Sequence, residues 1–543
     1  MVKNIAEMLN ELLAANAAVR SSKSIDAVRT YFSQGRKFSE LKTGFELSEQ
    51  SVFKNVIRSV YNLQKDLAEE ISCNPFQVKA SFFDVDLLTD SGTSTLRTEQ
   101  KEFKQWYAEN VKSIECFSYA RLTPREHLNS AIDYIFGENF DFYPTLQGRA
   151  SEKLLLEALM GAKILKENDV IVSNRPFDTT KGHIGNQNVA VKALTKMADP
   201  DSFLSAESPF MGNIDELILG EYSAEKYAAA LVTMTDNGGG GQPVSMKNYK
   251  FITEKVHNEG KFLWLDACRI FENALFIKAF EKGYEQKGLK EIVYEIADVA
   301  DVITISFKKI YSHSGGGILI NKNSSILTAK DRMSMDGIIK RSTTVNYGNG
   351  FNSYSGLTGE GMVEIMSGLM MGLNEKVVAD RIAQVGFIGA YLREKFNLPV
   401  VSGGHALYVA ADKVLPNVPL ENCPAEYLNA MLMAGLKTRG CGLGLILYGG
   451  REENEGEVKF TTPLSMDSLR LAIPRDVYSN NEILSVLNVL GEAFKIGKFK
   501  SIKGGLKPRN YVGDGFYHFG GEYDVVDKNE FNAINNELIN LRT

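Results

Sequence analysis

Long apolar runs, clustered cysteines and an excess of basic residues are all absent from this sequence of 543 residues. No apolar stretch reaches the ~20 residues that a membrane-spanning helix needs. Residues 1–20 lack the continuous apolar core of a signal peptide. The formal net charge of −6 gives no basic footprint for nucleic acid. These absences predict a protein that binds neither membranes nor nucleic acid.

Several short motifs are missing as well. The five cysteines are Cys73, Cys116, Cys268, Cys423 and Cys441. They form no CxxC pair, and neither they nor the histidines show a metal-ligand spacing. The glycine run Gly238–Gly241 lacks the GxGxxG register, so no dinucleotide site is predicted there. Because scattered thiols are typical of a reducing compartment, we expect a cytoplasmic enzyme rather than a disulfide-stabilised scaffold.

What the sequence does contain is an alternation of short apolar runs with longer helical patterns, from roughly residue 150 to residue 365. The segments DVIVSN, QNVAVKAL, AALVTMT, KFLWLD and DVITISF predict strands, and LLLEALMGAKIL and FITEKVHNEG predict helices. Elements in this order predict a mostly parallel sheet covered on both faces. After about residue 370, helical patterns and the strands HALYVAAD and LRLAIP predict a second, smaller α+β domain.

Polar and charged residues directly follow three of the predicted strands. Asn237 follows LVTMT, Asp266 and Arg269 follow FLWL, and Ser306, Lys308 and Lys309 follow DVITI. Ligands of parallel α/β sheets bind at the carboxyl ends of the strands. A lysine there can form a Schiff base with the aldehyde of pyridoxal phosphate, and a carboxylate can keep the pyridine nitrogen protonated. An N-cap aspartate and two solvated lysines are the alternatives that these residues leave open.

Several segments together resemble the tryptophanase and tyrosine phenol-lyase family, the β-eliminating lyases of the aspartate aminotransferase fold. They are DLLTDSGTSTL, YPTLQGRASE, FDTTKGH, LVTMTDNGGGGQPVSMKN, WLDACRIFENALFIK, SFKKIYSHSGGGILI and LRLAIPR. The resemblance runs from about Asn74 to near the C-terminus. It implies an α/β protein of pyridoxal phosphate fold type I that catalyses β-elimination from an amino acid.

The resemblance also implies a division of the chain and a set of partners. Residues 1–50 form a helical extension without a family counterpart, 51–90 belong to the small domain, 91–365 form the large cofactor-binding domain, and 366–543 complete the small domain. The implied partners are an amino-acid substrate, pyridoxal phosphate, a potassium ion and three further copies of the chain in a homotetramer.

Residues at matching positions take their roles from the resemblance. Lys309 matches the Schiff-base lysine, Asp266 matches the partner of the pyridinium, and Lys308 matches a neighbour of the phosphate whose charge favours a neutral Lys309. The other matches are Gln147, Gly148, Arg149 and Ser306 for the phosphate, Phe177 for stacking on the ring, Asn237 and Arg269 for its phenolic oxygen, Arg470 for the substrate carboxylate, and Gly92 and Glu115 for the cation.

Three positions distinguish the two activities within the family. Asp178 and His518 match tryptophanase, whereas phenol-lyases have threonine and phenylalanine there. Cys441 stands where phenol-lyases have the arginine that binds the phenol, although Arg439 is two residues away. These positions predict L-tryptophan as the substrate and indole, pyruvate and ammonium as the products.

One position departs from the family pattern. The family has a tyrosine two residues after the cation-site glutamate, which protonates the leaving carbon, but this chain has Phe117 after Glu115. Tyr119 is the candidate replacement for that catalytic acid. Loss of a general acid lowers the rate by roughly 10²–10⁴-fold for a carbon leaving group, and a thiolate would be affected less. A lyase for a cysteine conjugate or tyrosine, a β-replacement enzyme, an aminotransferase and a non-catalytic binding protein are therefore the alternative functions.

Overall fold

The computed structural model describes most of the chain after residue 86. The described residues are 87–88, 92–93, 95–111, 122–195, 208–346, 352–354, 357–448, 451–454, 457–460, 467–510 and 522–542. They form two compact units. The first contains the described parts of Gly92–Lys196 and Ser208–Ile382, and the second contains those of Ala383–Thr543 together with Leu87–Leu88. The domain bounds expected from the sequence stay a prediction.

A seven-stranded sheet forms the centre of the first unit. Its strands are β1 (Phe140–Thr145), β2 (Val170–Ser173), β3 (Ala190–Ala193), β4 (Ala229–Thr233), β5 (Phe262–Asp266), β6 (Val302–Ser306) and β7 (Gly316–Asn321). They lie in the order β1-β7-β6-β5-β4-β2-β3. Strands β2 to β6 run parallel, and β7 is antiparallel to both β1 and β6. The predicted, mostly parallel sheet is therefore confirmed.

The central strands are mostly apolar and are buried along their whole length. The segments AALVT, FLWLD and VITIS of β4, β5 and β6 are buried at every residue. A parallel sheet with helices on both faces demands this, because neither face of the sheet meets water. The register places Thr233, Asp266 and Thr304 side by side on the three neighbouring strands. A charged residue at the end of β5 thus lies within the buried part of the sheet.

Helices connect and cover these strands. They are α1 (Thr98–Asn110), α2 (Leu122–Phe136), α3 (Gly148–Gly161), α4 (Asp178–Gly185), α5 (Glu216–Glu221), α6 (Met246–Asn258), α7 (Ile270–Phe280), α8 (Leu289–Asp298), α9 (Ala329–Thr343) and α10 (Gly359–Leu373). A further helix, α11 (Glu375–Phe396), begins in the first unit and ends in the second. Leu155 of α3 and Ile339 of α9 belong to one buried cluster with Trp264 of β5. This packing holds α3 against the sheet. Single 3₁₀ turns are formed by Ala224–Lys226 and Phe307–Lys309, and Thr344–Asn346 pairs with Asn352–Tyr354.

A smaller antiparallel sheet forms the centre of the second unit. Its strands β8 (Val400–Ser402), β9 (Ala406–Ala410), β10 (Cys441–Leu443) and β11 (Ser468–Ala472) lie in the order β8-β9-β11-β10. The helices are α12 (Ala411–Val414), α13 (Pro424–Leu436), α14 (Leu445–Tyr448), α15 (Asn480–Lys495) and α16 (Lys528–Arg542), with 3₁₀ turns at Leu420–Asn422 and Lys498–Ser501. Further strand pairs are Leu87–Leu88 with Thr438–Arg439, Arg451–Asn454 with Glu457–Phe460, and Leu506–Asn510 with Glu522–Val525.

Within the described residues, no helix combines the length and the apolar character that crossing a bilayer would require.

Asn174, directly after β2, allows a test of how the edge of the large sheet is held. Its buried side chain donates to the carbonyls of Gly212 and Thr233 and accepts from the N–H groups of Thr233 and Arg175. We expect Asn174→Ala to lower the free energy of unfolding by about 3 kcal/mol or more, because several buried backbone groups lose their partner. Urea unfolding of Asn174→Ala and of the exposed control Asn323→Ala measures this. Equal, small effects of the two substitutions would contradict it.

Candidate active site

Neighbouring strands of the large sheet bring most of the predicted site residues to one edge. Asp266 is the last residue of β5, and Ser306 is the last residue of β6 beside it. Asn237 lies in the loop that follows β4, on the other side of β5. Because these strands are parallel, their carboxyl ends meet at the same edge. The carboxylate, the hydroxyl and the amide therefore lie around a common centre.

The two lysines follow in a 3₁₀ turn whose backbone is held from several sides. Lys308 and Lys309 are half-buried in Phe307–Lys309. The Lys308 carbonyl accepts hydrogen bonds from the backbone N–H of Thr93 at 2.9 Å and from its hydroxyl at 3.1 Å. The carbonyl of Tyr311 accepts from Gln100 Nε2 at 2.7 Å. The backbone around Lys309 is therefore anchored to the segment that begins at Gly92, a placement that no motif predicted.

The start of α3 lies directly against the end of β6. A Cβ atom added to Gly148 would stand 2.5 Å from Cβ of Ser306, so only glycine allows this approach. Gln147 is the N-cap and makes no side-chain capping bond, and Arg149 follows in the first turn. The first N–H groups of a helix attract anions, and the Ser306 hydroxyl and the Lys308 ammonium add donors. This combination fits the phosphate group of pyridoxal phosphate.

The Asp266 carboxyl is the acid at the centre of the edge. It is only 2% exposed, and it accepts a hydrogen bond from the Cys268 N–H at 3.4 Å. Burial raises the pKa of Asp266, and Cys268 and the Arg269 guanidinium oppose that rise. A protonated pyridine nitrogen facing this carboxylate would favour its ionised form. The donor set at this edge thus fits both ends of the cofactor, the phosphate and the ring nitrogen.

Glu152 is a second buried acid close to Asp266, and it was not predicted from the sequence. It is 3% exposed on α3 and accepts a hydrogen bond from the Thr179 hydroxyl at 2.7 Å. Burial, followed by the charges of Asp266 and Asp178, raises the pKa of Glu152 to about 8, although hydrogen bonds from Thr179 and Thr180 oppose the rise. Two carboxyls this close cannot both ionise easily, so Glu152 keeps its proton at neutral pH. Glu152 lies four residues after Gly148, so the two residues share a helix face. This spacing was the sequence feature that could have predicted Glu152 near the site.

Phe177 and Asp178 follow β2 at the same edge of the sheet. Phe177 is the half-buried N-cap of α4, and Asp178 is its first residue. The Asp178 side chain is 9% exposed and accepts from the backbone N–H of Thr179 at 2.6 Å. An aromatic ring and a carboxylate are therefore neighbours at this edge. The sequence predicts that Phe177 stacks on the cofactor ring and that Asp178 contacts the substrate.

Arg470 belongs to the second unit, where two further residues flank it. Its Cα is paired with Tyr408 on one side and with Cys441 on the other. Directly opposed residues of neighbouring strands project to the same face of a sheet. Cys441 and Arg470 are therefore close neighbours on one face of this sheet. Glu115, Tyr119 and His518 lie outside the described residues.

Comparisons with known proteins agree with this architecture. A family model described as "Beta-eliminating lyase" matches residues 86–487. A Trichomonas vaginalis chain named "Probable beta-eliminating lyase" is 34% identical, over 81% of this chain and 89% of its own length. "Tryptophanase" from Hyphomonas neptunium is 31% identical, over 78% of this chain and 87% of its own. "Tyrosine phenol-lyase" from Fusobacterium nucleatum is also 31% identical, over 84% and 93%.

A solved structure with a methionine aminotransferase function, YbdL from Escherichia coli, has the same fold. The TM-score is 0.50 at 12% identity, and the match covers 83% of this chain and 98% of that one. Identity at this level carries the fold alone. It confirms the predicted aminotransferase-like α/β architecture.

The proton on Glu152 has a measurable consequence for stability. The folded protein holds this proton up to about pH 8, while the ordinary pKa of a glutamate is 4.5. Below pH 4.5 the stability that the protonated form contributes is fully present. Between pH 4.5 and about 8 the free energy of unfolding falls by about 1.4 kcal/mol per pH unit, and this contribution is lost once the pH passes the folded-state pKa. Glu152→Gln cannot ionise, so we expect cofactor-free Glu152→Gln to lose less stability than the wild type as the pH is raised to about 9.

Urea unfolding at a series of pH values measures this difference, with the exposed Glu167→Gln as the matched control. Parallel pH profiles for the wild type and both variants would contradict a proton held by Glu152.

Proposed function

This chain belongs to the β-eliminating lyase family, and on that premise we propose that it cleaves L-tryptophan into indole, pyruvate and ammonium with pyridoxal phosphate as its cofactor. The observation that carries the proposal is the convergence of Asp266, Ser306, Lys308 and Lys309 at the ends of neighbouring strands beside the start of α3. A potassium ion, a homotetramer and a cytoplasmic location are further proposals that depend on the family resemblance.

The residues of the first unit would divide the work of holding the cofactor. The N–H groups at Gln147, Gly148 and Arg149, with Ser306 and Lys308, would bind its phosphate. Asp266 would keep the ring nitrogen protonated, and Phe177 would stack on the ring. Asn237 and Arg269 would donate to the phenolic oxygen. When bound, pyridoxal phosphate accepts the electron pair that remains at the substrate Cα after proton removal.

Lys309 would carry out the proton transfer at the substrate Cα. Its backbone is held by the carbonyl of the preceding Lys308, which Thr93 binds twice, while its side chain remains long and flexible. An anchored backbone with a flexible amine suits a group that must first bond to the cofactor and then act as a base. Neighbouring positive charge from Lys308 would favour the neutral amine that this role needs.

The family resemblance assigns the residues that would select the substrate. Arg470 would bind the α-carboxylate through two parallel hydrogen bonds, and Asp178 would accept the indole N–H. The residue opposite Arg470 is Cys441, which carries no positive charge for a phenolate. This favours tryptophan over tyrosine. His518 and the candidate acid Tyr119 complete the proposed set, and Gly92 and Glu115 would bind the cation.

A second candidate function has one specific observation in its favour. Phe117 stands where the family has its catalytic tyrosine, so protonation of an indole carbon would depend on Tyr119. A thiolate leaves without carbon protonation. Elimination from a cysteine conjugate is therefore the alternative, followed by β-replacement, transamination or elimination from tyrosine.

A substrate panel distinguishes these functions. We expect the protein with pyridoxal phosphate and potassium to release indole and pyruvate in equal amounts from L-tryptophan, and little pyruvate from L-tyrosine. S-methyl-L-cysteine reports elimination that needs no carbon acid. Pyruvate from the thioether alone would refute the tryptophan assignment and establish the alternative. No pyruvate from any of the three would refute both.

The two neighbouring lysines allow a matched pair of variants. We expect Lys309→Ala to lose the absorption band of covalently bound cofactor and to lower pyruvate formation by on the order of 10²–10⁴-fold or more, because the base is gone. Lys308→Ala should keep that band but bind the cofactor more weakly, because one phosphate contact is lost. Absorbance titrations with pyridoxal phosphate measure both. A retained covalent band in Lys309→Ala, or its loss in Lys308→Ala, would reverse the assignment of the two lysines.

A further inference from the structure

A buried ion pair joins the two loops that carry Phe177 and Asn237. Arg175 lies two residues before Phe177, and Asp236 directly precedes Asn237. Arg175 Nη1 stands 3.7 Å from Asp236 Oδ2, with the side chains 12% and 0% exposed. Among the described residues neither of these two atoms has a hydrogen-bond partner. The loops are therefore joined here by the attraction of two charges.

The glycine run after Asp236 wraps around this pair. A Cβ atom added to Gly239 would stand 2.1 Å from Asp236 Oδ2 and 2.9 Å from Arg175 Nη1. The N–H of Gly239 donates to Asp236 Oδ1 at 3.0 Å, and the N–H of Gly241 donates to the Asp236 carbonyl at 2.7 Å. Gly240 and Gly241 have φ values of +86° and +69°, which side-chain-bearing residues rarely adopt. Gly238–Gly241, which lacks the GxGxxG register of a dinucleotide site, therefore encloses a buried carboxylate instead.

Stability alone does not account for such a pair. Burial raises the pKa of Asp236, and because the Arg175 guanidinium and the N–H groups of Gly239 and Gly238 only partly offset that rise, the resulting pKa is about 6. Buried ion pairs are often replaced by apolar residues without loss of stability. The charged Asp236 is unfavourable for folding and lies beside the candidate active site. Departures of this kind from stable packing are expected at functional sites.

We propose that the Arg175–Asp236 pair, enclosed by Gly239, is a positioning element that sets the distance between the loop of Phe177 and the loop of Asn237 at the cofactor ring. The inference rests on the proposed function, because Phe177 and Asn237 are cofactor contacts only there. Asn237 is 1% exposed and directly follows Asp236 in the chain, so a shift of Asp236 would also displace the Asn237 amide. Displacement of the amide by a fraction of an ångström weakens a hydrogen bond to the ring oxygen.

Two readouts, neither of which is turnover, test the inference. The first is the dissociation constant for pyridoxal phosphate, and the second is the pH at which the absorption band of the bound cofactor changes. We expect Arg175→Met to weaken cofactor binding by about 3–10-fold, the effect of about one hydrogen bond, and to shift the spectral midpoint. Gly239→Ala should do the same, because its methyl group forces the pair apart.

The double variant Arg175→Met/Asp236→Val separates positioning from simple stabilisation. Removal of both charges leaves no uncompensated carboxylate, so its urea midpoint should return to that of the wild type or exceed it. Its cofactor affinity and spectral midpoint should stay altered, because the loops are no longer held at a defined distance. Gly220→Ala, at a glycine with open space around it, should leave every readout unchanged.

Each result has a defined meaning. A double variant that matches the wild type in affinity and spectrum would show that the pair is only structural and would overturn the inference. Unchanged affinity and spectrum in Arg175→Met and Gly239→Ala would overturn it as well. If the wild type binds no pyridoxal phosphate, the proposed function fails and the inference fails with it. Wild-type binding with unaffected variants removes the inference alone.

Discussion

The charge of Asp266 sits at the end of a strand that water barely reaches, and the groups around it have to compensate for that burial. Arg269 and the N–H of Cys268 favour its ionised form, and burial opposes it. An incomplete balance of this kind attracts a cationic ligand, and a protonated pyridine nitrogen is such a ligand. Glu152 remains protonated nearby, so it adds no second negative charge beside Asp266. In the proposed function, the site would depend on this difference between the two buried acids.

Close approach of backbone segments is the second constraint, and glycine is the residue that meets it. Gly148 lets the start of α3 touch Ser306, and Gly316 lets β7 pass against Gln147. The first contact brings the N–H groups of a helix to within reach of the strand that leads to the lysines. Gly239 performs the corresponding task on the other side of Asp266, where it covers Asp236 and Arg175. A methyl group at any of these positions would force these closely packed segments apart.

The strands of the large sheet and the residues that follow them were predictable from local pattern. Apolar runs of strand length with helical segments between them identify β2, β4, β5 and β6, because buried parallel strands leave no other pattern. Asp266, Ser306 and Lys309 were predicted as site residues from the positions that follow these runs. Glu152 and the Arg175–Asp236 pair were not found in this way. Glu152 looks like any helical glutamate, and Arg175 and Asp236 belong to separate loops that only the sheet order brings together.

The sequence by itself determined the family, the order of the strands along the chain and the identity of the residues at their ends, because periodicity and motif order are local properties. The tertiary structure decided which strands are neighbours, and with that the register of Thr233, Asp266 and Thr304. It also decided which carboxyls keep a proton, since the pKa of Glu152 or Asp236 depends on burial and on charges distant in the chain. Those two acids are ordinary in the sequence and unusual only once the sheet has buried them.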